Sequence, residues 1–292
     1  MCDQDSFGDM LNYARRADVV SRRQFGALSV GAGLTMMLPP VANAADVVES
    51  DVEIKTIDGS ADAYLVHPAS GKSAGVLVWP DVFGLRPAFR MMGKRLAEAG
   101  YTVLVPNPFY RIKRAPIVPP GASFQDEATR NTLMGMMQTL TPATQQADAR
   151  AFIPYLDQQA SVDRKRKLAT TGYCMGGPIA FRTAATFPAR VGALATFHGG
   201  NLVSSNPDSP HLLIPSMKAA ALIAIAANDD EKQPEAKSVL RESFAKAKLA
   251  AEIEVYAGTM HGWCPPDSVV YNEAQAEKAW GRMLDLIKKS LA

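Results

Sequence analysis

The sequence is poor in cysteine, in net charge and in long apolar runs. Three cysteines in 292 residues are too few for a disulfide framework, which small secreted scaffolds build from closely spaced pairs. None stands in a CxxC pair or a close Cys/His cluster, so the spacing argues against a zinc site. Lys and Arg number 31 against 29 Asp and Glu, a formal charge of +2. Without a basic stripe to pair with phosphates, nucleic acid is not an expected partner. Histidine is scarce too, four in all. What remains, 47% hydrophobic and 21% charged residues, is ordinary for a folded domain. Its 21 Gly and 20 Pro are scattered, which excludes a low-complexity chain.

The N-terminal segment has its own grammar. Ser21-Arg22-Arg23-Gln24-Phe25-Gly26 is followed by an apolar, small-residue stretch from Ala27 to Leu38, then Pro39-Pro40 and Ala42-Asn43-Ala44. A charged region, an apolar region and an A-x-A site in that order make residues 1–44 an expected export signal, cleaved after Ala44. The apolar stretch falls short of the about 20 residues a membrane span needs, and no stable span is expected in 45–292. The paired arginines resemble the twin-arginine signal, S/T-R-R-x-F plus an apolar residue, with Gly26 in the last place. That resemblance implies the twin-arginine machinery as a partner and export in the folded state to the periplasm or a similar space.

From residue 45 onward, strand and helix patterns alternate. Val47–Ile57 and Ala61–His67 alternate polar and apolar residues, as half-buried strands do. Gly75–Trp79, Tyr101–Val105, Leu168–Tyr173, Val191–Phe197, Ala219–Ala226 and Glu252–Tyr256 are short and apolar and read as further strands. Helical spacing runs over Arg86–Ala99, from Thr141-Pro142 to Gln159, and over Gly177–Phe187, Pro234–Lys248 and Ser268–Leu291. Residues 106–123 hold five prolines and read as a long loop. The order predicts a single α/β domain over 45–292, a mostly parallel sheet with helices on both faces. Ligands of such sheets sit at the carboxyl ends of the strands.

One of those ends carries Gly172-Tyr173-Cys174-Met175-Gly176-Gly177. It is a G-x-nucleophile-x-G elbow with cysteine in the nucleophile position. A Cβ at 172 or 176 would crowd the tight turn, and a helix N-terminus behind Cys174 favours its thiolate. A nucleophile needs a base and the base an orienting acid. His67, His198 and His211 are the other histidines, but only His261 leaves room for a strand and an acid between nucleophile and base, the chain order of α/β-hydrolases. The acid then falls at the end of the 221–227 run: Asp229, with Asp230 as the alternative. The expected oxyanion donors are the backbone N–H groups of Met175 and of Val82, in the loop after Trp79.

The joint order of Pro80–Gly84, Pro106–Arg111, Gly172–Gly177, Asn228-Asp229 and His261-Gly262 resembles the dienelactone hydrolase family of α/β-hydrolases, over roughly residues 50–290. The resemblance implies a Cys174–Asp229–His261 triad acting on small-molecule lactones or esters, without metal or cofactor. It implies a thiol-positioning carboxylate at Asp81, where the family has glutamate. It implies a substrate carboxylate held at Arg111, with Pro265 in place of the family's second arginine. Arg111 reads equally as a surface residue, and Trp263 as either a pocket wall or core packing. Cys264, three residues past His261, reads as an unreactive loop cysteine, with a regulatory disulfide to Cys174 as the alternative. A thioesterase or acyl transferase with the same triad, or a redox-active thiol or binding protein on a hydrolase scaffold, are the competing functions.

Overall fold

The structure, a computed structural model, describes residues 37–291. Most of the export-signal reading of 1–44 lies outside them. Eight strands form one sheet: β1 (Val47–Thr56), β2 (Gly59–Pro68), β3 (Gly75–Trp79), β4 (Thr102–Pro106), β5 (Leu168–Tyr173), β6 (Val191–Phe197), β7 (Ala220–Ala226) and β8 (Ala251–Tyr256). Their spatial order is β1-β2-β4-β3-β5-β6-β7-β8. β2 runs antiparallel to both its neighbours, and every pair from β4 to β8 is parallel. The helices are α1 (Pro87–Glu98), α2 (Glu127–Met137), α3 (Pro142–Asp157), α4 (Gly176–Thr186), α5 (Ala227–Lys232), α6 (Ala236–Lys246) and α7 (Glu273–Ser290), with a 3-10 turn at Pro210–Ser216.

The central strands are apolar because both their faces are covered. In β3, Val76 and Val78 point into a core shared with Phe89 and Leu96 of α1 and Met283 and Ile287 of α7. Leu77 and Trp79 point the other way, onto Phe152 and Leu156 of α3, Phe181 of α4 and Phe244 of α6. Period-two alternation thus sorts one strand's residues into two cores. β1 is an edge strand and mostly exposed. Its Glu49, Asp51, Glu53 and Lys55 keep that edge from pairing with another chain.

All eight strands stand within a residue or two of their expected positions. Three differences concern helices. α7 starts at Glu273, because the Asn272 side chain accepts from Gln275 N–H and caps it there; residues 268–272 form turns instead. Asp229 and Asp230, expected in a loop, lie in α5. α2 was not expected: its polar face dominates, but Asp126 at its N-cap accepts from Thr129 N–H and Glu127 follows in the first turn, a start signal present in the sequence. Leu133 and Met136 of α2 join Val82, Phe109, Cys174 and Met175 in a third apolar cluster above the sheet.

Among the described residues, no helix is long and apolar enough to cross a membrane. Trp79 is fully buried, and its indole N–H donates to Thr183 Oγ1 at 3.1 Å. Trp79→Ala is expected to cost about 3–5 kcal/mol, measured as a lower urea midpoint. Ile57→Ala, at a position 86% exposed, should shift stability by less than about 0.5 kcal/mol.

Candidate active site

The carboxyl ends of five strands converge on one cavity. β5 delivers Cys174 with φ of 53°, a left-handed conformation that L-residues avoid. The turn tolerates no side chain at its glycines. A Cβ on Gly172 would lie 2.0 Å from Gly176 O, and one on Gly176 would lie 2.3 Å from Trp79 O. Cys174 N–H donates to Phe197 O at 3.1 Å, and Cys174 O accepts from Gly177 N–H at 3.0 Å and Gly200 N–H at 3.3 Å. The elbow is therefore tied to the end of β6.

β7 and β8 supply the next pair. His261 Nδ1 lies 2.8 Å from Asp229 Oδ2, and since an ionised carboxylate only accepts, the proton sits on Nδ1. His261 N–H donates to Asn228 Oδ1 at 2.8 Å, which fixes the backbone as well as the ring. Asp230, the alternative acid, instead binds Lys237 Nζ at 2.6 Å. His67 and His211 bond locally, to Pro68 O and Ser209 Oγ. Cys174, His198, His261 and Val82 all line a cavity of about 730 Å³, within the range of small-molecule sites. Met175 is buried beside Cys174 and Val82.

Arg111 and Trp263 are corrected as pocket residues. Asp81 lines the cavity and is engaged with its own turn. Its carboxylate accepts from Arg86 Nη1 at 2.6 Å and Nη2 at 3.0 Å, and from Phe83 N–H at 2.9 Å, so it orders its own turn. Arg111 is outside the cavity lining. It is bound to Asp148 and Asp58, because the buried Asp148 carboxylate requires a cation. Trp263 is also no pocket wall: it is fully buried and stacked on Tyr256 at 4.8 Å. Cys264 is likewise packed in the core among Tyr173, Tyr256 and Trp263. Cys174 and Cys264 form no disulfide among the described residues, and burial pushes the Cys264 thiol pKa up, away from the reactive thiolate.

Sequence order passed over His198, at the end of β6. Its φ is 41°, it is 1% exposed, and its ring meets that of His261 edge-on, with centroids 5.0 Å apart. It also passed over Arg86 and Arg130 and the 115–125 loop, which form much of the cavity wall. No motif marks these residues, since they are brought together by the path of a long loop.

The Dienelactone hydrolase family model matches residues 61–291. The chain is 26% identical over 234 residues to the carboxymethylenebutenolidase of Pseudomonas sp. (strain P51), covering 79% of this chain and 91% of that one. It is 26% identical over 235 residues to the carboxymethylenebutenolidase of Rhodococcus opacus, covering 77% and 86%. A solved dienelactone hydrolase-like promiscuous phosphotriesterase from metagenomic libraries is similar with a TM-score of 0.68 and 23% identity, over 84% of this chain and 99% of that one; this likeness shows the fold.

Burial, reinforced by the neighbouring His261, holds the His198 pKa well below its ordinary 6.5. The unfolded chain therefore binds a proton here that the folded chain refuses. Stability gained from a neutral His198 is complete above about pH 6.5 and declines below it, by up to about 1.4 kcal/mol per pH unit. The urea midpoint is expected to fall between about pH 7 and pH 5, and to fall less in His198→Gln. Equal losses in the two proteins would assign the acid sensitivity to other groups.

Proposed function

We propose, on the premise that the chain belongs to the dienelactone hydrolase family and has the α/β-hydrolase fold, that it is a cysteine-dependent hydrolase of carboxylic esters or lactones. The observation that carries this reading is the 2.8 Å bond from His261 Nδ1 to Asp229 Oδ2, beside a cavity that Cys174 and His261 line together. With Nδ1 protonated and held, Nε2 is the basic nitrogen of the ring.

In this mechanism His261 Nε2 takes the thiol proton and the Cys174 sulfur attacks the acyl carbon. The developing oxyanion is held by the backbone N–H groups of Met175 and Val82. Val82 suits the role because its turn uses the Phe83 and Gly84 amides internally, bonded to Asp81 Oδ1 and Asp81 O. The tetrahedral adduct collapses to a thioester, and the leaving alkoxide receives the proton from His261. Water then attacks the thioester with His261 again as base, releasing the carboxylic acid and the free thiol. Asp229 fixes the His261 tautomer and stabilises the imidazolium between steps. A lactone follows the same path, with its alcohol kept on the released acid.

Cys174→Ala is expected to abolish hydrolysis of 4-nitrophenyl acetate under reducing conditions. Asp229→Asn should lower kcat by about 10²–10⁴, and Asp230→Asn by no more than about twofold, since Lys237 holds Asp230 outside the triad. Unchanged turnover in Cys174→Ala would overturn the assignment. A thiol that serves redox chemistry alone would oxidise equally well in His261→Ala, whereas the hydrolase loses its turnover there.

Residues 1–44 are included in the reading as a twin-arginine-type export signal. Ala42, Asn43 and Ala44 are exposed just before Ala45, whose N–H donates to Glu98 O at 2.9 Å, which supports a cleavage point there. The exported protein should begin at Ala45 by mass spectrometry, and the Arg22→Lys/Arg23→Lys double variant should stay unprocessed. A mature form still beginning at Met1 would overturn the signal.

A further inference from the structure

A small ester leaves most of the cavity unused. Its volume is about 730 Å³. A water molecule takes about 30 Å³ of the liquid, so roughly two dozen waters would fill that space. An acetyl group or a five-membered lactone ring at Cys174 occupies only the part near Cys174 and His261. Much of the remaining wall is apolar: Phe83, Leu85, Val118, Pro119, Phe124 and Val269 line it. They come from the turn after β3, the 115–125 loop and the segment after His261, far apart in sequence.

Two of these residues form a held aromatic pair. Phe83 follows Val82, the proposed oxyanion donor, and its own N–H donates to Asp81 Oδ1 at 2.9 Å. The Arg86 guanidinium lies over the Phe83 ring, 5.4 Å from its centroid. Phe124 meets Phe83 edge-on, with centroids 6.4 Å apart, and Arg130 Nη1 donates to Phe124 O at 3.4 Å. Phe83 is nevertheless only half-buried, and Val269, on the same cavity, is 75% exposed. Apolar side chains left facing a cavity contribute little to folding, and uncovered apolar surface of this kind marks a binding site. Two of the three arginines of the wall are already paired: Arg86 lies between Asp81 and Asp267, and Arg90 binds Asp51, outside the cavity.

We infer that the cavity takes esters or lactones bearing a large apolar group, such as a naphthyl ring or an octanoyl chain, in preference to small ones, and that Phe83 and Val269 are contacts that set this preference. This substrate class rests on the hydrolase reading for its chemistry, but the apolar contact itself does not require catalysis. Cys174 and His261 line the same cavity as Phe83 and Val269, so a group lying on the apolar wall belongs to the molecule whose carbonyl meets the thiol. Each methylene fully buried there raises affinity by up to about fourfold.

The test compares large and small esters of like reactivity, each corrected for its uncatalysed rate and kept below its solubility limit. One pair varies the acyl chain: 4-nitrophenyl octanoate against 4-nitrophenyl acetate. The other varies the leaving group: 2-naphthyl acetate against phenyl acetate. In at least one pair the wild type should favour the larger ester in kcat/KM by about tenfold or more, mainly through KM. Phe83→Ala should lower that ratio by at least about threefold, and Val269→Ser by about twofold. The ratio, not the rate, reads the wall, because damage to the turn that bears Val82 slows both esters of a pair together. Val269 is exposed, so its variant keeps the test open if Phe83→Ala does not fold. A wild-type ratio below about tenfold in both pairs, or a ratio unchanged in both variants, overturns the inference while leaving the hydrolase intact.

Titration with N-phenyl-1-naphthylamine, a neutral dye whose fluorescence rises in apolar surroundings, separates the two readings. If the wild type hydrolyses none of the four esters, the hydrolase reading falls and the dye decides the apolar wall. One-to-one binding to the wild type that weakens severalfold in Phe83→Ala or in Val269→Ser sustains the site. Equal binding in all three proteins, or none to the wild type, removes it.

Discussion

The site depends on how closely the chain is forced to turn between β5 and α4. Gly172 and Gly176 cross at a separation that leaves no room for a methyl group, against each other and against the Trp79 carbonyl. The left-handed Cys174 backbone, unfavourable by about 1–2 kcal/mol, is held by bonds from its own amide and carbonyl to Phe197, Gly177 and Gly200. Those bonds make the elbow one body with the end of β6. The His198 amide then donates to Ala224 O at 2.8 Å, which carries the same rigidity into β7 and on to Asp229. Cys174 and Asp229 are thus placed by β5 and β7, two strands of one packed sheet with β6 between them, and the loop bearing His261 is fastened to α5 through Asn228.

Local chemistry explains what the sequence makes legible. Buried parallel strands must be apolar, so runs such as Val76–Trp79 announce themselves. The elbow glycines are required by hard contacts, and the order Cys174, Asp229, His261 follows from the strands β5, β7 and β8 that precede them. Residues whose role depends on a partner far along the chain are another matter. Nothing near Arg111 says that Asp148, 37 residues on, will hold it. Nothing near Asp81 says that Arg86 will turn back to bind it rather than face solvent. Trp263 is core packing because Tyr256 stacks on it, a geometry set by the turn between them. α2 had a readable cap at Asp126 but lacked the broad apolar stripe that identifies a helix from periodicity.

His198 and His261 show how one environment gives two histidines different work. They lie 5.0 Å apart, and a second imidazolium beside the first would be unfavourable at that range. Asp229 supplies the carboxylate that makes a positive charge tolerable on His261. His198 has no such partner on either ring nitrogen, and burial keeps it neutral. Of the two rings, only that of His261 can therefore carry a positive charge with a carboxylate beside it. A neutral neighbour preserves that asymmetry without adding charge to the wall of the cavity.

The distribution of charge around the cavity follows the same logic. Arg86 and its two aspartates form a closed unit that fixes the turn at residues 80–84 to the segment bearing Asp267. With one arginine between two aspartates, that unit leaves no cationic fork open to a ligand. Arg111 is equally closed, in a network with Asp58, Asp148 and Tyr110 that binds the β1–β2 end of the sheet to α3. An arginine recognises a ligand only when the fold leaves its fork unsatisfied, whatever its place in a family pattern.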